Sequence, residues 1–171
     1  MNLTFKKEKK FKIYKIIRKS KKLYLFLIGI NEKNFLVNKS YTNTPWIHFN
    51  NKNFNFYKIV IRKKIEGIAV IIKFKSNTHL QFFYISRLFR SAGLGKNILK
   101  LLLPKKKFTT VHVPKKLTNK TIKFYLKNGF QKSNLREKNY LIKDWISKCI
   151  NFDKKTFKEK VLLYRNLKVR K

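Results

Sequence analysis

The sequence predicts an α/β (α+β) domain built on one core, and three observations carry that prediction. A strand-like run, Leu80–Ile85, passes into a helix-like run, Lys96–Leu103, through the hexapeptide Arg90-Ser91-Ala92-Gly93-Leu94-Gly95. Two β-rich runs, Ile59–Arg62 and Ile65–Ile72, stand close enough in sequence to form a hairpin. A further β-rich run, Phe108–Val113, precedes apolar residues at helical spacing that end on Gly129. With 171 residues the chain can bury one independent core.

Taken in order, the N-terminal third is the least patterned part. Leu23–Ile30 and Phe54–Tyr57 are apolar, with an Asn-rich stretch between them. Lys63-Lys64 separates the two halves of the expected hairpin. Pro114 ends the strand that begins at Phe108, because proline cannot donate to a ladder. In the next helix Ile122 and Leu126 are four apart, Phe124 and Tyr125 lie between them, and Gly129 is placed as a helix C-cap. Tyr140–Lys143 reads as the last strand of a domain spanning 1–143. Beyond it, 144–171 is a basic extension whose Phe157, Val161, Tyr164 and Lys168 share one helical face, so a helix is expected there.

The hexapeptide carries the chemistry. The chain has five glycines, and two of them fall in this one strand-to-helix connection. Glycine lets the main chain approach a ligand closely, and a helix start offers unpaired N–H groups to an anion, which together suit a pyrophosphate. A Walker A loop would need glycine at Arg90 and Ser or Thr at Asn97. A dinucleotide fingerprint would need a small residue at Ile98 and an acid about 20 positions on, where Lys115 and Lys116 stand. Neither fits.

The loop resembles the Arg/Gln-x-x-Gly-x-Gly/Ala motif of the GNAT acyltransferases, whose amides hold the pyrophosphate of acetyl-coenzyme A. Ile85-Ser86-Arg87-Leu88-Phe89-Arg90 matches the family's approach to that loop in spacing. Thr118 to Phe130 resembles a second family block through Phe124, Tyr125, Gly129 and Phe130, with Thr118 and Thr121 departing from the usual Asn and Ala. The likeness covers about residues 57–143. It implies a mixed, mostly antiparallel sheet flanked by helices, with acetyl-coenzyme A as co-substrate and no metal. Arg90, Ser91, Ala92, Gly93, Leu94, Gly95 and Lys96 would hold the pyrophosphate. The main chain at Tyr84 and Ile85 would align the pantetheine and the carbonyl.

Acetyl transfer by direct attack needs a neutral amine, a proton acceptor, oxyanion stabilisation and a proton for the departing thiolate. Tyr125 stands where many GNAT enzymes keep a tyrosine that protonates the thiolate; it is equally placed to be a core aromatic. Many relatives carry a glutamate on the strand before the loop, yet no carboxylate lies between Gly67 and Asn134. His79 is the substitute, since imidazole titrates near neutral pH, and His112 on the following strand is the next candidate. Glu66 reads as a hairpin charge.

Within the superfamily, Phe83-Tyr84-Ile85, Arg90 to Gly95, Thr118-Asn119-Lys120 with Phe124, and Lys138–Ile142 resemble blocks of the α-tubulin lysine acetyltransferases in the same order. Lysine at Lys115-Lys116 replaces the aspartate expected there.

Charge points to a partner. Against 44 Lys plus Arg stand 7 Asp plus Glu, a formal +37. Codon drift in an AT-rich gene explains part of this, but self-repulsion of that size calls for a polyanion: RNA or a ribosome, an acidic protein surface, or an anionic membrane. No run approaches the ~20 apolar residues of a membrane span. The single cysteine, Cys149, suits a reducing intracellular compartment, the cytosol or an organelle such as a mitochondrion or plastid. Two classes of function follow. One is an acetyltransferase acting on a protein amine, either a lysine or an N-terminus. The other is a GNAT-fold RNA-binding protein with an idle pocket, such as an organellar ribosomal component.

Overall fold

The computed structural model describes residues 11–18, 23, 26, 52–73, 77–90, 93–104, 108–114, 118–134 and 160–165. The chain divides into two compact units, Met1–Lys73 with Phe82–Gly95, and Phe74–Gln81 with Lys96–Lys171.

The first unit holds strands β1 (Phe11–Lys15), β2 (Phe54–Ile61), β3 (Lys64–Lys73) and the second half of β4 (Asn77–Ile85), in the order β1-β2-β3-β4. β1 and β2 are antiparallel, with Ile13 opposite Ile59, and β2 turns back on β3 as the expected hairpin. Its two-residue turn is Arg62-Lys63, one position earlier than the sequence suggests. Both residues have positive φ, 50° and 65°. That is the mirror-image turn whose twist matches a hairpin, normally made with Asn-Gly. β3 carries one extra residue: Ile59 faces Gly67 while Val60 faces Ile65, so Glu66 bulges out of the ladder.

β3 is buried on both faces, which explains its unbroken run Ile68 to Ile72. On one face Ile68 and Val70 pack with Ile16, Leu23 and Phe56, and Phe26, Phe54, Ile65, Phe82 and Tyr84 surround them. Gly67 answers a steric demand. A Cβ there would lie 2.7 Å from the Tyr84 carbonyl oxygen and 3.0 Å from Ile59 Cδ1.

The second unit holds the first half of β4, β5 (Phe108–Pro114), β6 (Gln131–Lys132) and β7 (Lys160–Arg165), in the order β4-β5-β7-β6. β4 and β5 are parallel over Asn77–Leu80 and Phe108–Val111. A parallel pair needs a crossover, and helix α1 (Leu94–Leu102) lies in that connection. Within this unit the helix buries Ile98 and Leu99, with Leu103 buried just past its end, while Lys96, Asn97 and Lys100 are exposed. Helix α2 (Thr118–Leu126) buries Ile122 and Tyr125. It ends as its glycine predicts: Gly129 has φ +82°, Phe130 N–H donates to Tyr125 O, and Gly129 N–H donates to Leu126 O. This is a Schellman closure.

One expectation is corrected. Lys160–Arg165 is not part of a helix but strand β7, antiparallel to both β5 and β6. Leu162, Leu163 and Tyr164 are all buried, so consecutive side chains on opposite faces are covered. A helix with one apolar face could not bury all three. Phe157, Lys168 and the expected strand Tyr140–Lys143 lie outside the described residues.

Two outcomes follow. Arg62→Asn with Lys63→Gly should raise unfolding free energy by about 1–2 kcal/mol, because Asn and Gly adopt the left-handed conformation of this turn at lower cost than Arg and Lys. Gly67→Ala should lower it by about 2 kcal/mol through the clash with the Tyr84 carbonyl. Urea midpoints at constant slope read both.

Candidate active site

The exit from β4 is tied down link by link in the first unit. Ser86 N–H donates to Glu66 O at 2.7 Å, which anchors the end of the strand to the bulge of β3. A single 3₁₀ turn, Arg87–Phe89, follows, with Phe89 buried beneath it. Arg90 then folds back. Its Nε donates to Ile85 O at 2.7 Å, and its guanidinium lies 5.1 Å from the centre of the Tyr84 ring. Tyr84 in turn meets Phe26 edge-on at 6.2 Å. Arg90 therefore braces the loop against the strand it leaves, a positioning role that the motif alone did not reveal.

Gly93 follows with φ +68°, and a Cβ built on it meets nothing within 4 Å. Its glycine answers to backbone conformation in a space left open, which is where a ligand can come close to the main chain. Leu94 is buried and opens α1, whose first turn holds no acidic side chain to compete for its N–H groups. Ser91 and Ala92 lie outside the described residues, as does Lys138–Ile142.

In the second unit the structure brings both histidine candidates together. His79 is the third residue of β4, 1% exposed, with Nδ1 2.8 Å from Thr110 Oγ1. Its Nε2 is 3.3 Å from His112 Nδ1, and the two ring centres are 4.8 Å apart. His112 is half-buried as a residue, but its Nε2 is closed off from solvent. Thr110 was missed by reading the sequence. The available signal was period two: Thr110 and His112 share one face of β5.

Tyr125 is buried, edge-on to Phe130 at 5.4 Å and to Phe124 at 5.2 Å. Desolvation pushes its phenol above the ordinary value near 10. Tyr125 is thus a core aromatic that keeps its proton throughout the neutral range.

A family model described as "Acetyltransferase (GNAT) domain" matches residues 31–146, taking in parts of both units as one domain. The chain belongs to the GNAT acetyltransferase family. Solved GNAT structures share its fold. A GNAT acetyltransferase from Staphylococcus aureus Mu50 is 18% identical, with 93% of this chain and 100% of that one covered at a TM-score of 0.65. One from Elizabethkingia anophelis, with acetyl-CoA bound, is 18% identical over 94% and 100%, at 0.59. The ribosomal-protein-S18-alanine N-acetyltransferase of Escherichia coli is 12% identical over 91% and 93%, at 0.62. A search of curated proteins finds no match. The mixed GNAT sheet expected from the sequence is present: antiparallel ladders β1/β2, β2/β3, β5/β7 and β6/β7, with β4/β5 parallel. The family's co-substrate is acetyl-coenzyme A, and the open loop at Gly93 fits it. Among the described residues no three His, Cys, Asp or Glu side chains group as metal ligands.

The Tyr125 phenol gives a pH test. Folding raises its pKa, so the folded chain binds this proton more tightly than the unfolded chain. The stability so gained is complete below about pH 10 and is lost as pH rises further. Tyr125→Phe should lose less stability between about pH 10 and 12 than the parent, measured by urea unfolding across that range.

Proposed function

We propose that this GNAT chain transfers the acetyl group of acetyl-coenzyme A to a protein amine, a lysine or an N-terminus, by direct attack. The observation that carries the proposal is the left-handed Gly93 set in open space between the end of β4 and the start of α1. By the family likeness, main-chain N–H groups from Arg90 to Lys96 hold the pyrophosphate, with Ser91, Ala92, Gly93, Leu94 and Gly95 between them. The main chain around Tyr84 and Ile85 aligns the thioester.

The amine lone pair attacks the carbonyl carbon, the C–N bond forms, and the C–S bond breaks with its electrons on sulfur. Tyr125 is the proton source for that thiolate. A phenol pushed up by burial is a weak acid, so the transfer requires the thiolate to share the same dry surroundings, where it too is costly as an anion. The paired rings of His79 and His112 are the candidate acceptors of the amine's proton.

Charge supports a polyanionic acceptor, RNA-bound or acidic. Glu66 is the one carboxylate among the described residues, while Lys96, Lys100, Lys120, Lys123, Lys127 and Lys132 are exposed in the second unit. The same charge favours the second reading, an RNA-binding GNAT fold with an idle pocket.

Calorimetry with acetyl-coenzyme A separates the two readings. Binding that survives a rise in salt and is abolished by Gly93→Asp with Gly95→Asp supports a working pocket, because non-specific attraction of phosphate to +37 is screened. Binding lost with salt in both proteins rejects it and makes RNA the partner. In the active case, Tyr125→Phe should lower kcat about 10- to 100-fold with little change in acetyl-coenzyme A affinity.

A further inference from the structure

One face of the β1/β2 pair is closed at one end and open at the other. In its antiparallel register Lys12 lies opposite Val60 and Tyr14 opposite Lys58, so these four side chains share a face. Further along that face Ile16 N–H donates to Phe56 O, and there Ile16 and Phe56 pack with Leu23, Ile68 and Val70. Towards the hairpin turn the face opens to solvent. Lys12 is exposed, Lys58 and Val60 are half-buried, and Arg62 and Lys63 stand exposed at the turn.

Tyr14 sets this end apart. It is 43% exposed, the one aromatic side chain classed as exposed among the described residues. A surface tyrosine alone needs no explanation, but this one stands among cations. Lys58 Nζ lies 5.5 Å from the ring centre, and Lys12 precedes the ring on the same face of β1. The one described carboxylate, Glu66, is on β3. The exposed lysines of the second unit have other company. Lys100 and Lys123 lie on helices whose exposed large apolar side chains are the aliphatic Leu101 and Leu126, the pattern of a solvated face.

Phosphates and bases ask for different groups. An ammonium neutralises a phosphate, while an aromatic face stacks on any unpaired base. An acidic protein surface would use the lysines and leave the ring idle. A duplex keeps its base faces stacked on one another. Ring and cations together therefore suit a single strand. At strand rise Arg62 stands about 13 Å beyond Lys58, so the turn can take phosphates that follow a base on Tyr14.

We propose that this open end of the β1/β2 face binds single-stranded nucleic acid, with a base stacked on Tyr14 and phosphates on Lys12, Lys58, Arg62 and Lys63. The inference rests on the reading of the charge as matched to a polyanion, and it holds whether the pocket at Gly93 is active or idle.

Fluorescence anisotropy of the full-length chain tests it with two labelled probes. One is an oligouridylate of about 12 nucleotides. The other is polyphosphate, which has the charge and no bases. At about 150 mM salt both should bind. Tyr14→Leu, which keeps an apolar side chain on the strand, should weaken the oligouridylate about tenfold and leave polyphosphate unchanged, with Tyr14→Phe restoring the parent affinity. Lys12→Gln with Lys58→Gln should lower the slope of log K against log salt by about 1.4. Lys123→Gln with Lys127→Gln removes the same charge near the end of α2 and should leave that slope unchanged. An oligouridylate affinity unmoved by Tyr14→Leu, or equal losses on both probes, overturns the proposal, as does an equal slope change from the second lysine pair. Tighter binding of a duplex or of polyglutamate also overturns it, the latter in favour of an acidic protein. An oligothymidylate of the same length distinguishes DNA from RNA as the source of the strand, and a preference for either keeps the proposal. Failure of both probes to bind rejects the polyanion reading itself and leaves the acetyl-coenzyme A calorimetry untouched.

Discussion

The main chain of β4 runs closer to β3 than any side chain at position 67 would permit. Where a Cβ would stand, the Tyr84 carbonyl oxygen lies 2.7 Å away. Because that approach is allowed, Ser86 N–H reaches Glu66 O and the strand ends at a defined point. Arg90 can then return to Ile85 O and cover the Tyr84 ring, which sets the direction in which the glycine loop leaves. A bulge, an absent side chain and one guanidinium thus fix the loop before any ligand arrives. Such preorganisation lowers the entropy that binding must otherwise spend.

The polar groups inside the second unit follow a different logic. Thr78, His79, Thr109 and Thr110 are buried at 0–1% exposure, beside Leu80, Val111, Val113, Leu162 and Leu163. Burying imidazole and hydroxyl groups costs stability unless they satisfy one another, and the His79–Thr110 bond does part of that. An all-apolar strand pair would be the simpler way to stabilise this sheet. That the chain keeps polar atoms here is consistent with a chemical use for them. The contrast with the exterior is marked, since lysine and arginine crowd the surface with one described carboxylate among them.

What could be read in advance was what local sequence decides. The helix end at Gly129, the hairpin, and the strand–glycine–helix passage each have a cause within a few residues, and each is present. What could not be read depends on distant partners. The Thr110–His79 bond spans 31 positions and arises from a parallel register that no local pattern specifies. Val161-Leu162-Leu163-Tyr164 satisfies helical and strand spacing alike, since a short apolar run is ambiguous by period. Its place between β5 and β6 decided the matter. Arg90 was legible as a motif residue, but its brace on Tyr84 was not.

Phe130 does two jobs with different parts of itself. Its main-chain N–H closes helix α2 on the Tyr125 carbonyl, while its ring stands edge-on to the Tyr125 ring. Termination of the helix and the dryness of the phenol are therefore one structural event. Any change that loosens the end of α2 also wets the hydroxyl and strengthens its acidity. Under drift the two traits must be inherited together: a lineage that lost Gly129 would shift the ionisation of the phenol without ever touching the tyrosine.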